Sequence, residues 1–282
     1  MRKFLCFLLL ASLALSLFSG CAPKSEPITV MSQNVRNLND PDGNSITRRA
    51  KRLDQLIQLY QPDIIGTQEV IKAWDDFFRA KYADTYGIVG TFADGIGTAA
   101  GSMSGVMYKL DRFELVESGY FWLSDTPQEI SKLEESNKPR TCSWALLKDK
   151  KSGKTFLMSN THLDTTSDEV RLAQYQVIAE QLADKYAQYP SVLTGDFNAL
   201  PDSTTYAEAT KTFSDPHLTA KNKATDIDFT FHNYGKETEK RLDYCFYNDG
   251  FVAEDYRILT EQFDGYVSDH YGVLTTYTFS SK

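Results

Sequence analysis

Cysteine is scarce in this chain of 282 residues, with four in all, at positions 6, 21, 142 and 245. No two of them stand at a Cys-x-x-Cys spacing, so a zinc ribbon or finger is excluded. Cys142 and Cys245 lie in apolar runs and are expected as two buried thiols. Positive charge is also short, 30 Lys and Arg against 38 Asp and Glu, for a formal net charge of −8. A protein that lives by gripping nucleic acid non-specifically shows the opposite balance, so stable nucleic-acid binding is not expected. The same balance leaves a small phosphorylated substrate open. Gly95, Gly97, Gly101 and Gly105 match neither the dinucleotide nor the Walker spacing, so those phosphate cradles are missing. The apolar run at 4–18 is short for a spanning helix, and polar sequence follows at once. No internal repeat or linker divides the rest.

The beginning of the chain is expected to be a leader. Arg2 and Lys3 precede the apolar run, which ends in Ser19-Gly20-Cys21. A Cys directly after Ser-Gly resembles a bacterial lipobox, although Phe18 stands where Leu is usual. This reading makes 1–20 a lipoprotein signal peptide, Cys21 the lipidated first residue, and 21–27 a short tether. The alternative is an ordinary secretory signal cleaved nearby. The leader carries two basic and no acidic residues, so its removal takes the net charge from −8 to −10. The expected product is an exported monomer, anchored by its lipid to a membrane in the periplasm or at the cell surface. Residues 28–282 form its single domain.

Short strands and a few helices alternate through that domain. Strands are expected at 28–34, 64–70, 105–108, 113–121, 140–147, 155–160, 192–194, 229–231, 244–247, 252–259 and 271–279. Helices are expected up to about Tyr60, over 71–86, and over 168–187, with a further helical segment at 204–213. Arg48, Arg49, Lys51 and Arg52 read as the solvated face of the first helix. The segments 94–104 and 124–138 are polar loops, long enough to line a substrate site. The pattern predicts an α+β or layered α/β domain with paired sheets.

Polar residues recur where the strands give out: Asn34, Glu69, His162, Asp196, Asn198, Asp243 and the pair Asp269-His270. Each alone has a bland explanation. Asp196 and Asn198 suit an Asx turn, His162 a satisfied core histidine, and Asp243 an ion pair with Arg241. Together they suit a site built on one edge of a sheet. The stretch Val192-Leu-Thr-Gly-Asp-Phe-Asn198 carries the idea most compactly. Its Gly195 permits a turn or a close approach. A carboxylate and a carboxamide two residues apart then point the same way.

These motifs are similar to those of the endonuclease/exonuclease/phosphatase superfamily. The matching residues are Gln33-Asn34, Gln68-Glu69-Val70, Asn160-Thr-His-Leu-Asp164, Gly195-Asp-Phe-Asn198, Arg241-Leu-Asp243-Tyr244 and Ser268-Asp-His270, in the family's order. The resemblance implies a four-layer αββα sandwich, two central mixed β-sheets flanked by helices, with the site at one edge. It also implies metal-dependent phosphoester hydrolysis.

That chemistry needs charge neutralisation, an activated water and a protonated leaving oxygen. Glu69, with Asn34 and Asp269, is expected to hold one or two Mg²⁺ (or Mn²⁺) ions. Such an ion binds through few carboxylates and keeps room for the substrate phosphate. His270 oriented by Asp243 is one candidate base, and Asp196 is the other. Asn198 would bond the phosphate or position Asp196, and His162 would donate to a phosphoryl oxygen. Arg140 resembles a phosphate-reaching arginine of part of the family, against a surface ion pair. Tyr108 would touch substrate, or merely pack. Asp164 and Arg171 read as braces. The substrate is expected to be a phosphorylated small molecule, a lipid headgroup or a nucleotide. The competing readings are a secreted nuclease on the same site and a non-catalytic surface binding protein on this fold.

Overall fold

The computed structural model describes residues 26–236 and 240–281. The expected signal peptide, Cys21 and most of the expected tether lie outside the described residues. Among the described residues no helix is long and apolar enough to cross a membrane.

Among the described residues twelve strands form two sheets. A seven-stranded sheet contains β1 (Ile28–Asn34), β2 (Ile64–Val70), β3 (Tyr86–Val89), β4 (Met103–Lys109), β9 (Asn222–Lys223), β11 (Phe251–Leu259) and β12 (Gly272–Phe279), ordered β3-β4-β2-β1-β12-β11-β9. A five-stranded sheet contains β5 (Phe113–Trp122), β6 (Thr141–Asp149), β7 (Thr155–His162), β8 (Ser191–Asp196) and β10 (Asp243–Tyr247), ordered β10-β8-β7-β6-β5. Both are mixed: β1–β2 and β7–β8 are parallel pairs within otherwise mostly antiparallel sheets. Helices α1 (Ile46–Tyr60) and α2 (Lys72–Tyr82) pack in one outer core with Met31, Ile65 and Met107 of the seven-stranded sheet. Helices α3 (Asp168–Gln181) and α5 (Thr204–Ala209) share the other outer core with Leu157, Leu193 and Phe246. Short helices α4 (Ala183–Gln188) and α6 (Pro216–Thr219) complete the set. Between the sheets lies the third core, built from Val30, Ile64, Val106, Ala145, Phe156, Met158, Val192 and Tyr277. The expected four-layer αββα sandwich is therefore present.

The side chains explain the layering. Strands inside the sandwich are covered on both faces, as in β8, every residue of which is buried. Below the site end the inter-sheet layer turns polar. The Gln68 amide donates to Asn160 Oδ1 at 2.7 Å, and Thr194 Oγ1 donates to the same oxygen at 2.9 Å. Gly66 makes this joint close: a Cβ there would stand 2.1 Å from Thr194 Oγ1 and 2.7 Å from Asn160 Oδ1. Gly195 fits its expected role too, since a Cβ would meet the Thr161 carbonyl at 2.5 Å.

Several expectations need correction. The helix expected over 71–86 stops at Tyr82, and Tyr86 opens an edge strand whose hydroxyl donates to the Pro62 carbonyl. The helix expected over 168–187 breaks at Leu182, whose backbone leaves helical geometry while its side chain stays in the core. Residues 229–231 make only isolated bridges, from Phe231 to Lys240 and to His270. Arg49 and Arg52 are not solvated. They are among the largest fully buried side chains, because their guanidinium groups satisfy loop carbonyls. Arg49 donates to Val35 and Arg36, Arg52 to Gly43 and Tyr266. Tyr108 is a core residue on β4, packed against Gly87 between the sheets, and does not line the site cleft. Cys142 and Cys245 are free and buried, as expected.

Candidate active site

The strand ends converge because of register. In the five-stranded sheet His162, Asp196 and Asp243 are direct cross-strand partners, one row across three strands. In the seven-stranded sheet Asn34 ends β1 opposite Gln68, Glu69 follows at the end of β2, and Asp269-His270 enters β12. The two rows face one cleft of about 370 Å³, lined by Glu69, Arg140, His162, Asp196, Asn198, Asp269 and His270 among others. Backbone strain gathers here as well. Arg36, Glu69 and Asn198 all have left-handed φ, at 61°, 62° and 49°. For non-glycine residues this is a cost that surrounding structure must hold in place.

Asn34 joins the rows. Its amide nitrogen donates to Glu69 Oε1 at 3.1 Å and to Asp196 Oδ2 at 2.9 Å. Its oxygen accepts from the Arg36 backbone N–H. Glu69 Oε2 accepts from the Asn37 N–H at 2.9 Å. Asp269 accepts from Ser268 Oγ and stands 3.5 Å from Arg36 Nε. Burial raises the Asp269 carboxyl, and the neighbouring Glu69 charge adds to the rise against the cations His270 and Arg36. Two carboxylates that repel each other across a cleft suit a divalent cation, and the oxygen-only donor set suits a hard one. Glu69 and Asp269 would hold it. Asn34 Oδ1, which already accepts from the Arg36 N–H, would have a lone pair left to help hold it.

Asp196 sits between two histidines, 3.5 Å from His162 Nε2 and 3.7 Å from His270 Nε2. His270 Nδ1 bonds Asp243 Oδ2 at 2.8 Å, which fixes the imidazole as expected. Asp243 does not pair with Arg241, which is taken by Asp215 at 2.6 Å. Burial pulls the His270 imidazole down, but the Asp243 and Asp196 carboxylates outweigh it and hold the imidazole up to about 10. Asp196 is pushed up to about 7, by burial first and by Asp243 second. His162 goes the other way, held well below its ordinary value by burial and by the cations Arg140, His270 and Lys138. Asp196, Asp243 and His270 also form a compact cluster with ligand atoms within 4.8 Å of one another. The His270–Asp243 bond occupies one ligand atom of each, which weakens this second set as an ion site.

Asn198 positions Asp196 through its backbone N–H, at 2.9 Å from Oδ1. Its amide nitrogen lies 3.0 Å from His162 Nε2 and donates to the Leu163 carbonyl at 3.0 Å. His162 Nε2 therefore has the Asn198 amide as its nearest polar neighbour, and the ring tautomer and amide orientation set which of the two donates. Arg140 is buried and lines the cleft, and its Nε stands 3.7 Å from Asp164, beyond hydrogen-bond range. A surface ion pair is therefore not its setting. Asp164 braces the loop through Thr166 and Lys138 N–H groups, and Arg171 bonds the Asp164 carbonyl at 3.4 Å.

Sequence reasoning missed Arg36, Lys138, Phe231 and Lys240, all of which line the cleft. Arg36 directly follows the Asn34 motif, and Lys138 closes the long loop. Only those adjacencies were visible beforehand.

A four-layer αββα sandwich with a carboxylate- and histidine-lined cleft at one edge is the class that fold and site define. The chain belongs to the endonuclease/exonuclease/phosphatase family, whose model matches residues 31–270. Members of this family hydrolyse phosphoesters. Among solved structures it resembles an endonuclease/exonuclease/phosphatase from Bacteroides vulgatus (28% identity, TM-score 0.84, covering 91% of this chain and 100% of that one). A mannosyl-6-phosphatase from Bacteroides thetaiotaomicron is similar at 30% identity and TM-score 0.81, covering 89% of this chain and 100% of that one. Carbon catabolite repressor protein 4 homolog 3 of Arabidopsis thaliana is 31% identical over 208 residues, 64% of this chain and 42% of that protein. The chain spans less than half the length of the curated relatives it matches.

Proposed function

We propose that this protein is a divalent-metal-dependent phosphoesterase acting on a small phosphorylated molecule at the cell envelope. The observation that carries it is Asp196, held between His162 and His270 and facing the Glu69–Asp269 carboxylate pair across one cleft. The similarity to a mannosyl-6-phosphatase supports a small substrate. The envelope location rests on the N-terminal leader and Cys21.

A bound Mg²⁺ or Mn²⁺ would neutralise phosphoryl oxygens and the charge developing on the leaving oxygen. The chain's own groups do the rest. Asp196, its carboxylate fixed by Asn34 and the Asn198 N–H, accepts a proton from the attacking water. The water oxygen bonds to phosphorus, and the ester P–O bond breaks. The leaving oxygen keeps that bond's electron pair and is protonated from water. His270 is a poor base in this state, because its imidazolium holds a proton on each nitrogen up to about 10. It serves as fixed positive charge beside the reaction, oriented by Asp243. Arg140 lines the same cleft and supplies a planar donor for phosphate.

Purified protein with 4-nitrophenyl phosphate and bis(4-nitrophenyl) phosphate, under Mg²⁺, Mn²⁺ or EDTA, tests the reading. Hydrolysis with either ion and its loss in EDTA is expected. A folded sample inert on every phosphoester and with every ion would overturn it.

A further inference from the structure

Two loops form one wall of the cleft, and both are pinned. In residues 94–104 the Asp94 carboxylate accepts from the Ile96, Gly97 and Thr98 N–H groups, folding the loop on itself. In residues 124–138 Lys132 Nζ caps the carbonyls of Leu133, Glu134 and Ser136, and Gln174 reaches Ser136 Oγ. Lys138 ties the two together. Its N–H bonds the buried Asp164 carboxylate at 3.3 Å, and its ammonium bonds the Ala99 carbonyl at 2.9 Å. Ile130 adds a second contact, its Cδ1 3.0 Å from where a Cβ on Gly95 would stand.

Lys138 and Ala99 both line the cleft. Arg36 has carboxylate partners, Asp40 at 3.1 Å and Asp269 at 3.5 Å. The Lys138 ammonium is anchored by a neutral carbonyl, so its charge is not cancelled at the anchor. An ammonium has three donors, and this carbonyl uses one. A phosphomonoester carries up to two negative charges near neutral pH, with a second pKa of about 6, where a diester carries one. A half-buried cation rewards that second charge more than one in bulk water would. The wall also narrows the room for a second ester substituent in a cleft of about 370 Å³.

Building on the phosphoesterase reading, we propose that Lys138 is a specificity-determining residue that selects the dianionic phosphomonoester of a small molecule over phosphodiesters. The test is kcat/KM for 4-nitrophenyl phosphate and for bis(4-nitrophenyl) phosphate, in the wild type, Lys138→Ala and Lys138→Arg. The wild type should prefer the monoester. Lys138→Ala should lower its kcat/KM about 10- to 100-fold, mostly through KM, as for loss of one charge-assisted hydrogen bond. The diester value should fall less than about 3-fold, and Lys138→Arg should restore most of the preference. Inhibition by inorganic phosphate should weaken in parallel in Lys138→Ala. An equal fall on both esters would make Lys138 only a loop latch and overturn the proposal. A wild type that prefers the diester would overturn it while leaving the phosphoesterase reading standing. Absence of metal-dependent hydrolysis of either ester would remove that reading itself, and this proposal with it.

Discussion

The two sheets bring different chemistry to one cleft. The seven-stranded sheet supplies Asn34, Glu69 and Asp269, oxygen donors around a pair of mutually repelling carboxylates. The five-stranded sheet supplies Asp243, Asp196 and His162 in a single cross-strand row, two carboxylates followed by an imidazole. On the proposed function, the first half would attract a hard cation and the second would move a proton. His270 belongs to the first by chain position, just ahead of β12, and to the second by its bond to Asp243. Asn34 crosses in the same way to reach Asp196. Binding and proton transfer should then be separable by mutation, although the side chains nearly touch.

The largest effect is expected on the proton side. Asp196→Asn should cut kcat by about 10²–10⁴, the usual range for loss of a general base, with the metal requirement unchanged. Steady-state kinetics across a Mn²⁺ series checks both parts. Asp243→Asn should cost about 10²-fold, because it leaves the His270 ring without its orienting carboxylate. Gly66→Ala addresses the joint beneath both halves. Its added methyl would collide with Thr194 and Asn160, so a loss of about 1–3 kcal/mol by denaturant melt is expected. Tyr108→Phe should be the smallest, within about 0.5 kcal/mol and without effect on kcat/KM, since Tyr108 lies in the core away from the cleft.

Two histidines set opposite pH trends. His232, buried between Tyr266 and Tyr271, is pushed down to about 4 by burial and by His270. Its unfolded value is about 6.5, so the unfolded chain binds the proton first, and stability falls as pH drops from about 6.5 towards 4. His270 is raised to about 10, so its contribution is full below about 6.5 and is lost as pH rises from there through 10. Thermal melts of His232→Gln and His270→Gln against pH should flatten the acid and alkaline limbs respectively. Unchanged limbs would count against these environments.

Much of the site was legible because strand ends are simple to read. Asn34, Glu69, His162, Asp196 and Asp243 each close or open a strong apolar run, and motif order then fixed their company. The paired-sheet class followed from the same runs, and the four-layer arrangement from the family resemblance. What stayed hidden depended on tertiary partners. Arg49 and Arg52 sit in a basic helical stretch that reads as solvated until the carbonyls they satisfy are known. Tyr86 continues an aromatic stripe but belongs to a strand edge. Leu182 breaks a helix with no Gly or Pro to mark it. Lys138 looks like an ordinary loop lysine, and only the folded chain brings it to Ala99, 39 residues away in sequence.

The division of labour between the sheets is tested most directly by calorimetric Mn²⁺ titration of Glu69→Gln and Asp196→Asn. Glu69→Gln should weaken binding at least about 10-fold, while Asp196→Asn should bind within about 3-fold of the wild type yet show the loss of about 10²–10⁴ in kcat. The reverse pattern, with the ion lost from Asp196→Asn and kept by Glu69→Gln, would place it among Asp196, Asp243 and His270 and contradict the account.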